Sequence, residues 1–159
     1  MRARTNPTDG QVYAAGLQGW NGGGRVGLRD NGLQRLRYTR TPATMITDCQ
    51  VVSGGLELTF NQPIDENSCQ AEGAFEIQHW NYHWRASYGS AQYRPSDDLE
   101  GVETLAPQSI QVSPDGKRVV LIMPNLIPVD QLHLRLNVTD GNGKSFEEEI
   151  YWTIHNTLK

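Results

Sequence analysis

The sequence predicts an all-β protein, an immunoglobulin-like antiparallel β-sandwich preceded by a two-stranded amino-terminal arm. Three observations carry that prediction. Polar and apolar residues alternate with period two from residue 43 onward, as in Leu56-Glu57-Leu58-Thr59-Phe60. Turn punctuation recurs between the alternating runs. Only 64–71 has room for a helical turn.

Seven strands follow from the alternation: 45–52, 55–60, 74–80, 109–112, 117–123, 131–139 and 148–155. Leu132, Leu134, Leu136 and Val138 share one face, with His133, Arg135 and Asn137 on the other. Ile150, Trp152 and Ile154 oppose Tyr151, Thr153 and His155. Val119 to Met123 is apolar throughout, as in a strand covered on both sides or at a crowded edge of the core. Ser53-Gly54-Gly55, Ser113-Pro114-Asp115-Gly116-Lys117 and Asp140-Gly141-Asn142-Gly143 supply the turns, glycine accepting positive φ and proline presetting it. Seven short strands over about 115 residues fit a sandwich.

The first forty residues differ. Strands are expected at 11–17 and 33–39, joined by Gln18-Gly19-Trp20-Asn21-Gly22-Gly23-Gly24. Two strands bury no core alone, so they dock on the sandwich or belong to a larger sheet. Charge divides at the same place. Residues 1–40 hold seven Arg against two Asp, a net +5, and the other 119 residues carry −9. The domains expected are therefore an arm over 1–40 and a sandwich over 41–159. The overall −4 and the singly spaced arginines disfavour a nucleic-acid partner. No apolar run approaches the ~18 residues of a membrane span, and residues 1–7 show no apolar core of a signal peptide. A protein so exported would carry its signal upstream.

Chemistry is sparse. Cys49 and Cys69 fit no metal or haem-attachment spacing; a disulfide and two buried free thiols are both open. His79 and His83 lie ~13 Å apart on a strand, too far to share one metal. His133 and His155 fall on polar faces. Asp97, Asp98 and Glu100 are conceivable calcium ligands, although an acidic solvated loop explains them as well. No nucleophile elbow, phosphate loop or paired Cys and His is present, so no catalytic residue and no cofactor is expected. The one suggestive feature is aromatic. Phe75 and Ile77 set the core face on odd positions, so an unbroken strand aims Trp80, Tyr82 and Trp84 outward as a stacking platform. A one-residue bulge would turn them into the core instead. With Tyr88 and Tyr93, in a long segment of 85–107, these rings are the candidate ligand-binding residues.

Asp9-Gly10-Gln11-Val12-Tyr13, Gly16-Leu17-Gln18-Gly19-Trp20 and Leu33-Gln34-Arg35-Leu36-Arg37-Tyr38-Thr39 resemble the last blade of a β-propeller. The resemblance is to the glucose/sorbosone-dehydrogenase-like propellers in large secreted proteins of Planctomycetes and Verrucomicrobia. Gly55-Leu56-Glu57-Leu58-Thr59-Phe60-Asn61-Gln62-Pro63-Ile64-Asp65 is similar to the opening of SbsA-like bacterial Ig domains. Trp80-Asn81-Tyr82-His83-Trp84, Tyr88-Gly89-Ser90 and Tyr93 resemble the aromatic block of that propeller-linked group. The resemblance implies a non-catalytic carboxy-terminal accessory module of an exported, oxidoreductase-like protein, extracellular or periplasmic. Its partner would be a neighbouring propeller or haem domain. The aromatic row points to an alternative, a carbohydrate-binding module with a polysaccharide partner. Neither involves nucleic acid or membrane.

Overall fold

The computed structural model describes residues 2–16 and 32–158. The expected 18–24 loop with Trp20, Leu17 of the first arm strand, and Arg25 and Arg29 lie outside the described residues. The chain divides into two compact units, Met1–Ala43 and Thr44–Lys159, a few residues beyond the seam marked by charge.

The first unit is a three-stranded antiparallel sheet, β1 (Arg2–Thr5), β2 (Val12–Ala15) and β3 (Leu33–Leu36), in that order. The two strands expected here are present, shorter than the alternation suggested. The third, β1, is flagged by nothing in its own four residues and forms because β2 offers it a ladder, with Arg2 opposite Ala15 and Thr5 opposite Val12. Between β1 and β2, Asn6 and Asp9 hold the turn. Asn6 Oδ1 accepts from the Thr8 N–H at 3.0 Å, and Asp9 accepts from the Gln11 N–H at 3.0 Å and the Tyr13 hydroxyl at 2.8 Å. These are the side-chain-to-backbone bonds that make Asx residues turn formers.

The second unit is a sandwich of two antiparallel sheets. The first sheet runs β4 (Ile46–Val52), β5 (Gly55–Phe60), β10 (Arg118–Ile122), β9 (Ser109–Val112). The second runs β12 (Ser145–Ile154), β11 (Val129–Thr139), β6 (Phe75–Tyr82), β7 (Gln92–Tyr93), with β8 (Glu103–Leu105) also paired to β6. Reading β4, β5, β6, β9, β10, β11 and β12 as A to G gives A-B-E-D facing G-F-C, the immunoglobulin-like order. All seven expected strands are present, with ends differing by up to a few residues. The two unexpected short strands, β7 and β8, lie inside the segment expected to be a loop. Helix α1 (Glu66–Cys69) falls where the helical turn was expected, its first amides capped by the Asp65 carboxylate.

Alternation sorts the side chains as the sequence implied. Leu56, Leu58, Phe60, Val119 and Leu121 from the first sheet meet Ile77, Leu132, Leu134, Leu136, Val138 and Ile154 from the second, and all are buried. Ile150 and Trp152 pack against this core from the edge strand. Val120 and Ile122 are half-buried on the outer side of β10. Among the described residues, no helix is long and apolar enough to cross a membrane.

Candidate functional site

β6 decides what the aromatic block becomes. Its register with β11 runs unbroken from Phe75 opposite Leu136 to Trp80 opposite Gln131, so no bulge interrupts the alternation. Ile77 and His79 face the core, while Trp80 and Tyr82 share the outer face, their rings edge to face at 6.5 Å. A three-ring row nevertheless does not result. Trp80 is 5% exposed, with Gln131 directly across from it, and the strand ends at Tyr82. Tyr82 is 43% exposed, and Trp84, beyond the strand, is 93% exposed. The platform is thereby reduced from three rings in line to one half-open ring at the strand end and one in the following loop. Tyr88 is also fully exposed. Tyr93 is buried.

Residues 83–102 are tied down by the short strand β7 and by side chains. The His83 ring stacks on Tyr93, centroids 3.7 Å apart and 14° from parallel. Arg85 donates to the Tyr93 hydroxyl at 2.5 Å. His83 Nε2 meets Asp98 Oδ1 at 2.7 Å. Asp98 sits at φ 61, a left-handed conformation that Asp tolerates better than most residues. Arg94 forks onto both oxygens of Asp97 and holds that carboxyl below the usual carboxylate range.

The deeper anchor is Glu103. Its Oε1 accepts from the Ser96 N–H at 2.8 Å and its Oε2 lies 3.0 Å from Nε2 of the buried His79. Hydrogen bonding from Ser96, side chain and backbone, with His79 after it, lowers the Glu103 carboxyl pKa. His79 and His83, on one strand face by simple alternation, thus serve two separate carboxylates.

Asp97 pairs with Arg94 and Asp98 with the His83 ring, and Glu100 contributes a backbone bridge to Tyr93. The described residues contain no group of three or more His, Cys, Asp or Glu side chains placed to hold a metal ion. His133, expected to be exposed, is half-buried and stacked on Tyr151 at 4.5 Å, because β12 runs alongside and places that ring over it. His155 is exposed. Cys49 and Cys69 are free thiols, Cys49 half-buried on β4 and Cys69 buried at the end of α1. Burial pushes the Cys69 thiol up to about 11, away from a reactive thiolate.

Next to the end of β6 the sandwich opens into a groove of about 430 Å³, lined by Tyr82, His83, Asp98, Asp130, Thr153 and His155 among others. Asp130 lies in an irregularity of β11 between Val129 and Leu132. Three bonds fix it: its carboxylate accepts the Tyr82 N–H at 2.8 Å, its own N–H donates to Asn81 Oδ1 at 3.1 Å, and its carbonyl accepts the Thr153 hydroxyl at 2.9 Å. Of these residues Tyr82 stands out in the sequence as a ligand-binding candidate and Asp98 as a conceivable calcium ligand. Asp130 and Thr153 carry no local signal; strand pairing alone brings them to Tyr82. Comparison of the chain with protein-family profiles, with curated proteins and with solved structures found no match.

Proposed function

We propose that the sandwich is a non-catalytic immunoglobulin-like accessory module, the carboxy-terminal piece of a larger exported, propeller-containing oxidoreductase-like protein, packing against a neighbouring propeller or haem domain. The observation that carries this is the character of the first unit. It is a sheet of three four-residue strands, and none of its described residues whose exposure is defined is buried. Leu33, Leu36 and Tyr38 are all more than half exposed. Among the described residues this sheet closes no core of its own, and three short antiparallel strands are close to the four of a propeller blade. Hydrogen exchange on the isolated chain tests the proposal. Amides of β2 and β3 should exchange far faster than those of β5, β10 and β11, whose side chains fill the core. Protection of β2 and β3 equal to that of β11 would show a unit stable by itself and remove the need for a parent sheet.

One observation favours a second function, polysaccharide binding. Tyr82, Trp84 and Tyr88 expose large ring area within seven residues of one another. A glycan array probed with the full chain decides it, with loss of signal expected in a Trp84→Ala, Tyr82→Ala, Tyr88→Ala triple variant. An array without signal would remove this function and leave the first untouched.

A further inference from the structure

From the groove beside the end of β6 we infer a specific ligand class: it is a binding site for a neutral saccharide, with one sugar ring laid on Tyr82 and its hydroxyls held by Asp98 and Asp130. The inference rests on the polysaccharide-binding function just described, and it moves the site from the exposed loop rings into the groove.

The size is right. About 430 Å³ falls in the roughly 300–1,000 Å³ range of small-molecule sites. The chemistry is mixed in the way a sugar demands, since each sugar hydroxyl both donates and accepts. Asp98 spends Oδ1 on His83, and Asp130 spends Oδ2 on the Tyr82 N–H. Among the described residues no hydrogen bond reaches Asp98 Oδ2 or Asp130 Oδ1, so each carboxylate keeps an acceptor for a ligand hydroxyl. Bonds from hydroxyls to carboxylates are among the stronger neutral-ligand contacts. His83 and His155 add ring nitrogens, and Tyr82 adds a half-open aromatic face.

The acceptors are also held in place before a ligand arrives. Asp130 is pinned by three hydrogen bonds from two neighbouring strands. Asp98 holds a positive φ, and its carboxylate is tied to a ring that is itself stacked on buried Tyr93. A backbone held in an uncommon conformation with its side chain lining a groove is the pattern of a preorganised contact. Two carboxylates disfavour an anionic sugar.

The test is an NMR titration of the isotope-labelled full chain with cellohexaose, xylohexaose, mannohexaose and chitohexaose, alongside oligogalacturonate and a decalysine peptide. At least one neutral hexasaccharide should move the amides of 81–83, 98, 129–130 and 153–155. Tyr82→Ala should weaken that binding about tenfold and Tyr82→Phe by no more than about twofold, because the ring face is what stacks. His155→Ala, at an exposed position, should weaken it about threefold and serves if Tyr82→Ala does not fold, at the scale of one hydrogen bond. Met45→Ala, exposed just before β4 on the other sheet, should leave it unchanged. Binding lost in Trp84→Ala but kept in Tyr82→Ala overturns the groove while the polysaccharide function stands. Shifts in the groove from oligogalacturonate or decalysine alone overturn the ligand class. No shift from any neutral hexasaccharide overturns the inference outright, and an array signal obtained elsewhere would then keep the broader function alive.

Discussion

Replacing Gly55 with alanine would strike the first sheet where it has no room. Gly55 is buried at the start of β5, paired with Val52 on β4 and with Ile122 on β10. A Cβ built there meets the Leu121 carbonyl oxygen at 2.0 Å and the Met123 nitrogen at 3.2 Å. Both are backbone atoms of the neighbouring strand and its continuation, so no side chain can swing away. Bringing the first contact to a tolerable 3.0 Å separates the strands by about an ångström. Overpacking of this kind costs ~1–3 kcal/mol. It also stretches the hydrogen bond from the Met123 N–H to the Gly54 carbonyl, now 2.7 Å, which adds ~1 kcal/mol. The loss should therefore be about 2–4 kcal/mol, a large part of the stability of a domain this size.

Gly54→Ala is the internal control. Gly54 has φ +77, and a Cβ there meets nothing within 4 Å, so its penalty is only the left-handed conformation, about 1 kcal/mol. Equilibrium urea unfolding, followed by circular dichroism and tryptophan fluorescence, measures both variants on one scale. A Gly55→Ala cost equal to or below that of Gly54→Ala would refute the assigned packing of β5 against β10.

Three further outcomes are expected. The Glu103 carboxyl has its pKa lowered on folding by Ser96 and then His79, so its contribution is complete above the ordinary carboxylate range and is lost as pH falls from that range through the lowered folded-state value. The melting temperature should fall below about pH 5, and Glu103→Gln should make that decline shallower; an identical slope in the variant would count against the assignment. Cys69, buried and with its thiol raised to about 11, should resist a disulfide reagent at neutral pH in the folded chain and react in urea, whereas prompt labelling of the native protein would contradict its burial. Leu134→Ala, at a fully buried position between Ile77 and Ile150, should cost ~2–5 kcal/mol, against less than ~0.5 kcal/mol for exposed Leu99→Ala, and similar losses at both sites would dissolve the distinction.

The sequence by itself determined the sandwich and the inward side of each long strand. Side-chain direction alternates with every residue of an extended chain, so Leu132 to Val138 and Leu56 to Phe60 announce their faces locally. Turns were legible for a similar reason, since a positive φ at Gly54 or Gly116 is a property of one residue. What a face meets is not local. Period two placed Trp80 outward, yet nothing in that pattern says it is shut off from solvent, because that depends on neighbours such as Gln131, about a third of the chain away. β7 and β8 lack an alternating signal, and they exist because the edge of β6 offers two short stretches of unpaired backbone. Gly55 looks in the sequence like half of a turn, and only the approach of β10 makes it a packing residue. The groove is the strongest case. Tyr82, Asp98, Asp130 and His155 are separated by stretches of 16 to 32 residues, and each alone is an ordinary surface side chain. Strand pairing between β6, β11 and β12, together with the His83–Asp98 contact, sets them around one opening, and pairing depends on backbone geometry that no short stretch of sequence contains.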